Sequence, residues 1–96
     1  MNIKLRTWNC PLITFLAGWN TIKVYNRGEL DQLKEIVAEV GLLLNVNWDY
    51  IKNNTYFMGY ACIEYNNGKG VSYYMDEQES IDWYGAPPIE MKDIFE

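Results

Sequence analysis

The strongest periodic pattern in the chain lies in residues 28–41, where apolar side chains recur at helical spacing. Leu30, Leu33 and Val37 fall on one stripe, and charged residues occupy the opposite face. Asn26, with Glu29 three residues later, resembles a capping box in which Asn replaces Ser or Thr. The pattern predicts one main helix whose apolar stripe must pack against a sheet.

Other segments alternate between apolar and polar residues or form short runs of strand-forming residues, which indicates half-buried strands. These segments are residues 3–8, 12–16, 21–25 and 44–50. Their number and shortness predict a sheet of several short strands.

A hairpin is predicted in the second half of the chain. Residues 55–65 are rich in β-branched and aromatic side chains, and the Asn-Asn-Gly-Lys-Gly run at 66–70 is typical of a hairpin loop. Residues 71–75 return as the partner strand, which the acidic residues from Asp76 onward are expected to end. Pro88 is placed to open a short final helix over residues 88–95.

These elements predict an α+β fold. We expect a mostly antiparallel sheet of four to five strands, with one main helix (about 28–41) packed on one face and a short C-terminal helix or tail. A chain of 96 residues is long enough for one domain, so 1–96 is interpreted as a single domain with an acidic C-terminal segment at 76–96.

Composition narrows the function classes. The chain has no histidine, which excludes Ser-His and Cys-His nucleophile pairs and His-based zinc sites. Its two cysteines, Cys10 and Cys62, form no metal-binding or redox spacing and are expected to be free thiols. We expect no catalytic residues, no metal and no cofactor. No secretory leader or membrane-spanning run is visible, so a cytosolic location is expected.

Charge is distributed unevenly along the chain, whose net charge is −5. Residues 1–28 carry four bases, Lys4, Arg6, Lys23 and Arg27, and no acid. Residues 76–96 carry seven acids against a single base, Lys92. Such asymmetry indicates a role for surface electrostatics and partners.

The acidic segment adjoins aromatic side chains, a combination suited to contact with a basic protein. Carboxylates would meet Lys and Arg, while aromatic rings would supply anchors. The predicted partner-binding residues are Asp76, Glu77, Glu79, Asp82, Trp83, Tyr84, Glu90 and Asp93. There are two alternatives to a partner-binding surface. The acidic segment is a solvated loop, or its acids are neutralised by the N-terminal bases.

Residues 59–65, Gly-Tyr-Ala-Cys-Ile-Glu-Tyr, resemble the RNP1 segment of RNA-recognition motifs. Met58 stands where that family has Lys or Arg, and Cys62 stands where it has a stacking aromatic residue. The resemblance implies a single-stranded nucleic-acid-binding module that uses the strand around Tyr60 and Tyr65.

The composition favours a small acidic non-enzymatic protein that inhibits a basic partner by occlusion, a nucleic-acid-handling enzyme being the expected kind. Phage or mobile-element inhibitors of anti-CRISPR or antirestriction type, DNA mimics and toxin-immunity proteins share these features. No direct contact with nucleic acid or membrane is expected from this reading. A structural or accessory subunit that forms an oligomer through a sheet edge is a further alternative.

Overall fold

The computed structural model describes residues 10–55, 57–67 and 69–94, and the chain forms four α-helices and four short strands there. Helices α1 to α4 span Cys10–Leu16, Arg27–Glu39, Trp48–Lys52 and Glu77–Tyr84. Strands β1 to β4 span Ile22–Val24, Ala61–Ile63, Tyr74–Met75 and Ile89–Glu90, and a 3₁₀ turn follows at Met91–Ile94. The predicted α+β class and mostly antiparallel sheet are confirmed.

The main helix predicted from the periodicity is α2. Asn26 is its N-cap, and the Asn26 side-chain oxygen accepts a 2.9 Å hydrogen bond from the Glu29 backbone N–H. The Glu29 carboxylate in turn accepts from the backbone N–H of Tyr25 at 2.7 Å, one residue earlier than in a standard capping box. The apolar stripe is buried in the core at Leu30, Leu33, Ile36 and Val37.

The sheet has the strand order β3-β2-β1-β4. The β3–β2 and β2–β1 pairs are antiparallel, and the β1–β4 pair is parallel. Ile22 and Val24 of β1 enter the core beneath α2, so the intervening Lys23 faces the other side. Helix α4 covers that second face, where Ser80 of α4 meets Thr21 just before β1.

The strand predicted over residues 12–16 is wrong, because this segment forms helix α1. Proline is compatible with the first turn of a helix, and Pro11 stands there. Leu12 and Phe15, three residues apart, are buried on one face, while Ile13 is exposed. A short apolar run does not distinguish a strand from a buried helix by periodicity alone.

The strand predicted over residues 44–50 is also wrong. The alternation is real at its start, because Leu44 and Val46 are buried and Asn45 is exposed. Asn47 then starts helix α3, since its side-chain oxygen accepts from the Asp49 N–H at 2.8 Å. The segment before α3 is extended, and the Asn45 carbonyl oxygen accepts a 2.7 Å hydrogen bond from the Ser72 N–H.

The predicted hairpin is present with shorter strands than expected, because β2 covers only Ala61–Ile63 of residues 55–65 and β3 covers only Tyr74–Met75. The acidic residues after β3 end that strand as expected, and they form helix α4 with Asp76 as its N-cap. The short C-terminal helix predicted over 88–95 is present as the 3₁₀ helix Met91–Ile94, which strand β4 precedes. The strand predicted over residues 3–8 lies outside the described residues.

The contact between Thr21 and Ser80 gives a test of how α4 is held. The two hydroxyls are fully buried and share a 2.7 Å hydrogen bond. Thr21→Val or Ser80→Ala alone should lower the free energy of unfolding by about 1–3 kcal/mol, because each leaves a buried hydroxyl without its partner. The double variant should lose less than the sum of the two, as measured by denaturant unfolding. Additive losses would contradict this pairing.

Candidate binding groove along strand β3

Helix α4 and its N-cap Asp76 contain six of the eight predicted partner-binding residues. The Asp76 carboxylate accepts a 2.7 Å hydrogen bond from the Glu79 N–H and so fixes the start of the helix. The helix ends at Gly85, whose left-handed backbone (φ 73°) glycine adopts without strain. Glu79, Asp82 and Trp83 are exposed between these two ends.

Two adjoining hollows run along β3, with volumes of about 490 and 520 Å³. They share the lining residues Tyr74, Met75 and Glu79, and we call them together the β3 groove. One wall is mainly apolar and comes from α3 and the segment after it. The other wall is acidic and comes from α4 and its N-cap. The residues that build the two walls are Ile51, Phe57 and Met58 on the apolar side, and Asp76, Glu79, Asp82 and Trp83 on the acidic side.

The groove carries negative charge. Four carboxylates line it, and no lysine or arginine does so among the described residues. Asp82 accepts a 2.9 Å hydrogen bond from Gln78 Nε2, one turn earlier on α4. Neither Glu79 nor Asp82 forms an ion pair with any described base. None of the described bases therefore competes with an external cation for these two carboxylates. The four carboxylates are Glu64, Asp76, Glu79 and Asp82.

Internal neutralisation occurs at one acid of α4, which is Glu77. Its Oε1 atom lies 3.4 Å from Lys23 Nζ, and the Lys23 side chain is only 11% exposed. Lys23 Nζ also lies 4.3 Å from the centre of the Tyr60 ring and 5.1 Å from that of Tyr25. Burial alone would lower the pKa of Lys23, but Tyr25 and Glu77 outweigh it and raise this pKa. Lys23 therefore faces an acid of α4 and not solvent, while Lys4 and Arg6 lie outside the described residues.

Aromatic side chains stand at the mouth of the acidic part of the groove. Trp83 is 77% exposed and Tyr73 is 69% exposed, and both line the second hollow. Large exposed rings beside carboxylates suit a guanidinium or ammonium group, which pairs with the acid and stacks on the ring. Tyr74 is half-buried, and its hydroxyl accepts a 2.7 Å hydrogen bond from Asn54 Nδ2.

Tyr84 has a structural role at the base of the acidic wall. Its hydroxyl donates a 2.6 Å hydrogen bond to Glu64 Oε2, which links α4 to the strand side of the groove. Burial and the Glu64 carboxylate both raise the pKa of Tyr84 well above its usual range. Tyr84 therefore orients Glu64 and offers a partner little free surface.

Besides Glu77 and Tyr84, which line neither hollow, two predicted residues lie away from the groove altogether. Glu90 lies in β4, at the opposite edge of the sheet, where its carboxylate accepts a 3.0 Å hydrogen bond from the Tyr25 hydroxyl. The Asp93 carboxylate accepts from the Glu90 backbone N–H at 3.2 Å in the turn that follows. The structure thus brings together the residues of 76–84 and leaves these two acids elsewhere.

The sequence did not reveal how the groove is assembled. Tyr73 and Met75 alternate along the predicted strand at 71–75 and so share one face, but nothing local indicates that α4 stands beside them. Glu64 follows β2 at the position opposite Tyr73, which the hairpin register could have revealed. Phe57 and Met58 precede β2 and carry no signal of their own.

The described residues contain no cluster of three or more acids and cysteines placed to hold a metal ion. Within the same ranges, no helix has the length and apolar character needed to cross a membrane.

Comparisons of the chain with protein-family models, curated proteins and solved structures give no significant match. The function must therefore be inferred from the geometry and charge of the groove.

The Tyr84–Glu64 hydrogen bond predicts alkaline behaviour. Because the pKa of Tyr84 is raised in the folded state, its contribution to stability is complete below about pH 10 and is lost as the pH rises above that value. Among the described tyrosines, Tyr84→Phe should remove the last ionisation step seen by ultraviolet absorbance. It should also flatten the fall in the free energy of unfolding above about pH 10.

Tyr73→Phe is the matched control, since it removes an exposed hydroxyl from the same groove. It should leave the last ionisation step in place. Loss of that step in Tyr73→Phe, and its persistence in Tyr84→Phe, would show that the assignment is wrong.

Proposed function

We propose that this protein is a non-enzymatic binding protein that holds a basic protein partner in the β3 groove and inhibits it by occlusion. The observation that carries the proposal is a groove lined by four carboxylates and by no described base, with Trp83 and Tyr73 exposed at its acidic end. Complementary charge of this kind steers association and fixes the register of a complex. The kind of partner proposed is a nucleic-acid-handling enzyme, whose Lys and Arg residues normally meet phosphates.

The internal pairing of acids supports the same surface. Glu77 is already paired with Lys23, whereas Glu79 and Asp82 project outward from the same helix. A partner can pair with these two carboxylates without breaking an ion pair between described residues. The proposed contact residues are therefore Glu79, Asp82 and Trp83, with Asp76 and Glu64 at the groove wall.

The alternative of a single-stranded nucleic-acid module fits the geometry less well. The Tyr65 ring is 5% exposed and packs in the core, with its centre 5.9 Å from that of Phe15. Tyr60 lies over Lys23, and its hydroxyl oxygen accepts from the Glu77 N–H at 2.9 Å. Neither ring forms the exposed stacking platform that base recognition requires.

Charge reversal tests the proposed surface. A Lys/Arg-rich peptide labelled with a fluorophore serves as the probe, and its binding is measured by fluorescence anisotropy at several salt concentrations. Glu79→Lys with Asp82→Lys should weaken binding by about tenfold or more at low salt, because two attractive charges become repulsive. The difference should shrink as salt is added.

The matched control is Glu35→Lys with Glu39→Lys, which changes the net charge equally on the exposed side of α2. These residues lie on the opposite face of the sheet from α4 and should change binding much less. Equal losses in both double variants would show that net charge alone drives binding, and an unaffected α4 variant would refute the groove as the contact surface.

Occlusion is tested by displacement. The same peptide is first bound to a labelled DNA duplex, and the protein is then added. The wild-type protein should release the duplex, because its carboxylates compete with phosphates for the same cationic side chains. The Glu79→Lys/Asp82→Lys variant should release far less. A ternary complex of protein, peptide and duplex would contradict inhibition by occlusion.

A further inference from the structure

We propose that the segment bound in the β3 groove is an extended strand of the basic partner, which adds to the outer edge of β3 and carries alternating basic and apolar side chains. This inference rests on the proposed function and specifies the form of the ligand. It follows from three features of the structure: the direction of the β3 backbone groups, the space beside them and the different character of the two walls.

The hydrogen-bond pattern directs the backbone of Tyr74 outward. In the β2–β3 pair, Ile63 lies opposite Tyr74, and the Glu64 N–H donates to the Tyr73 carbonyl at 3.0 Å. Antiparallel pairs alternate between hydrogen-bonded and non-hydrogen-bonded positions, so the next position, Tyr74, turns its N–H and C=O away from β2. Ser72, two residues earlier, confirms this direction, because its N–H donates outward to the Asn45 carbonyl at 2.7 Å.

The outer edge of β3 is covered at Ser72, whereas no described backbone group covers it at Tyr74. The extended segment before α3 supplies the Asn45 carbonyl, but the chain then turns into α3 at Trp48. Among residues 10–55, 57–67 and 69–94, no backbone group is hydrogen-bonded to the outward N–H or C=O of Tyr74. The β3 groove lies at this point, so an incoming strand would continue the line that the chain's own segment begins.

The two walls of the groove then determine the side-chain pattern of that strand. The Tyr74 side chain lies on the α3 side, where its ring meets Tyr50 edge-on at 6.1 Å. A residue opposite Tyr74 would point to the same side and meet the apolar wall. Its two neighbours would point to the other side, toward Glu79 and Asp82, which favours Lys or Arg at those positions.

A second copy of this chain is a poorer occupant. The acidic wall stands beside the open edge, so edge-to-edge pairing of two copies would bring like charges together on a chain of net charge −5. A basic strand makes the same backbone hydrogen bonds and also neutralises Glu79 and Asp82.

Three synthetic peptides of about six residues, the usual length of a strand, test the inference. One alternates Arg and Val, one has the same composition in two blocks, and one is the alternating peptide with a single backbone N-methyl group at its centre. Binding to the full chain is measured by isothermal titration calorimetry. The alternating peptide should bind about tenfold more tightly than the blocked peptide, and N-methylation should weaken it by a similar factor.

A pair of protein variants tests the same edge. Tyr74→Pro and Tyr74→Ala both remove the ring, but only proline removes the outward N–H, which takes no part in the pairing with β2. The alternating peptide should bind more weakly to the proline variant than to the alanine variant, while the blocked peptide should bind the two equally. The peptide series decides the matter by itself if the proline variant does not fold.

The outcomes separate this inference from the proposed function. Equal binding of alternating, blocked and N-methylated peptides would overturn strand addition and leave charge recognition standing. Failure of every basic peptide to bind would overturn both. A dimer of the wild-type protein that the alternating peptide does not dissociate, as measured by light scattering, would assign the edge to a second copy and overturn the inference.

Discussion

The structure depends on the way α4 is held against the sheet. This helix buries Ser80 completely, and it meets the strands through the Thr21–Ser80 hydrogen bond and the Lys23–Glu77 ion pair. Polar contacts of this kind are directional, so they fix the rotation of α4 about its own axis. The helix has too little apolar surface for hydrophobic packing alone to fix that rotation. Because Glu77 and Ser80 face inward, Glu79 and Asp82 face outward. The acidity of the groove is thus a consequence of how the helix is anchored.

The parts of the fold that could be predicted from sequence are those in which local signals agree. Helix α2 has a cap, a first-turn acid and a long apolar stripe, and all three indicate the same element. Residues 12–16 and 44–50 carry only a short apolar run or a short alternation, and local capping at Asn47 overrides the second. Asp76 and Glu79 show the same spacing as a cap and its partner, but their position in an acidic cluster obscured that signal.

The candidate site could be predicted only in part for a related reason. The carboxylates of 76–82 and the rings of Trp83 and Tyr84 are contiguous in sequence, so composition alone drew attention to them. The apolar wall at Ile51 and Phe57 is brought to β3 by tertiary packing, which no local pattern reports. Only the acidic wall of the groove could therefore be predicted from the sequence. The same criterion, a high density of acids, also selected Glu90 and Asp93, which the topology places at the far edge of the sheet.

The juxtaposition of an open sheet edge with an acidic helix explains how such a small chain could be selective. An open edge alone is a general liability, since its unpaired backbone groups accept many extended segments. The carboxylates of α4 discourage acidic segments and further copies of the chain, because each would bring like charges against Glu79 and Asp82. A basic segment meets no such penalty and can use the backbone groups of Tyr74 and the charges together. In the proposed complex, affinity would come from the edge and the choice of partner from the helix beside it.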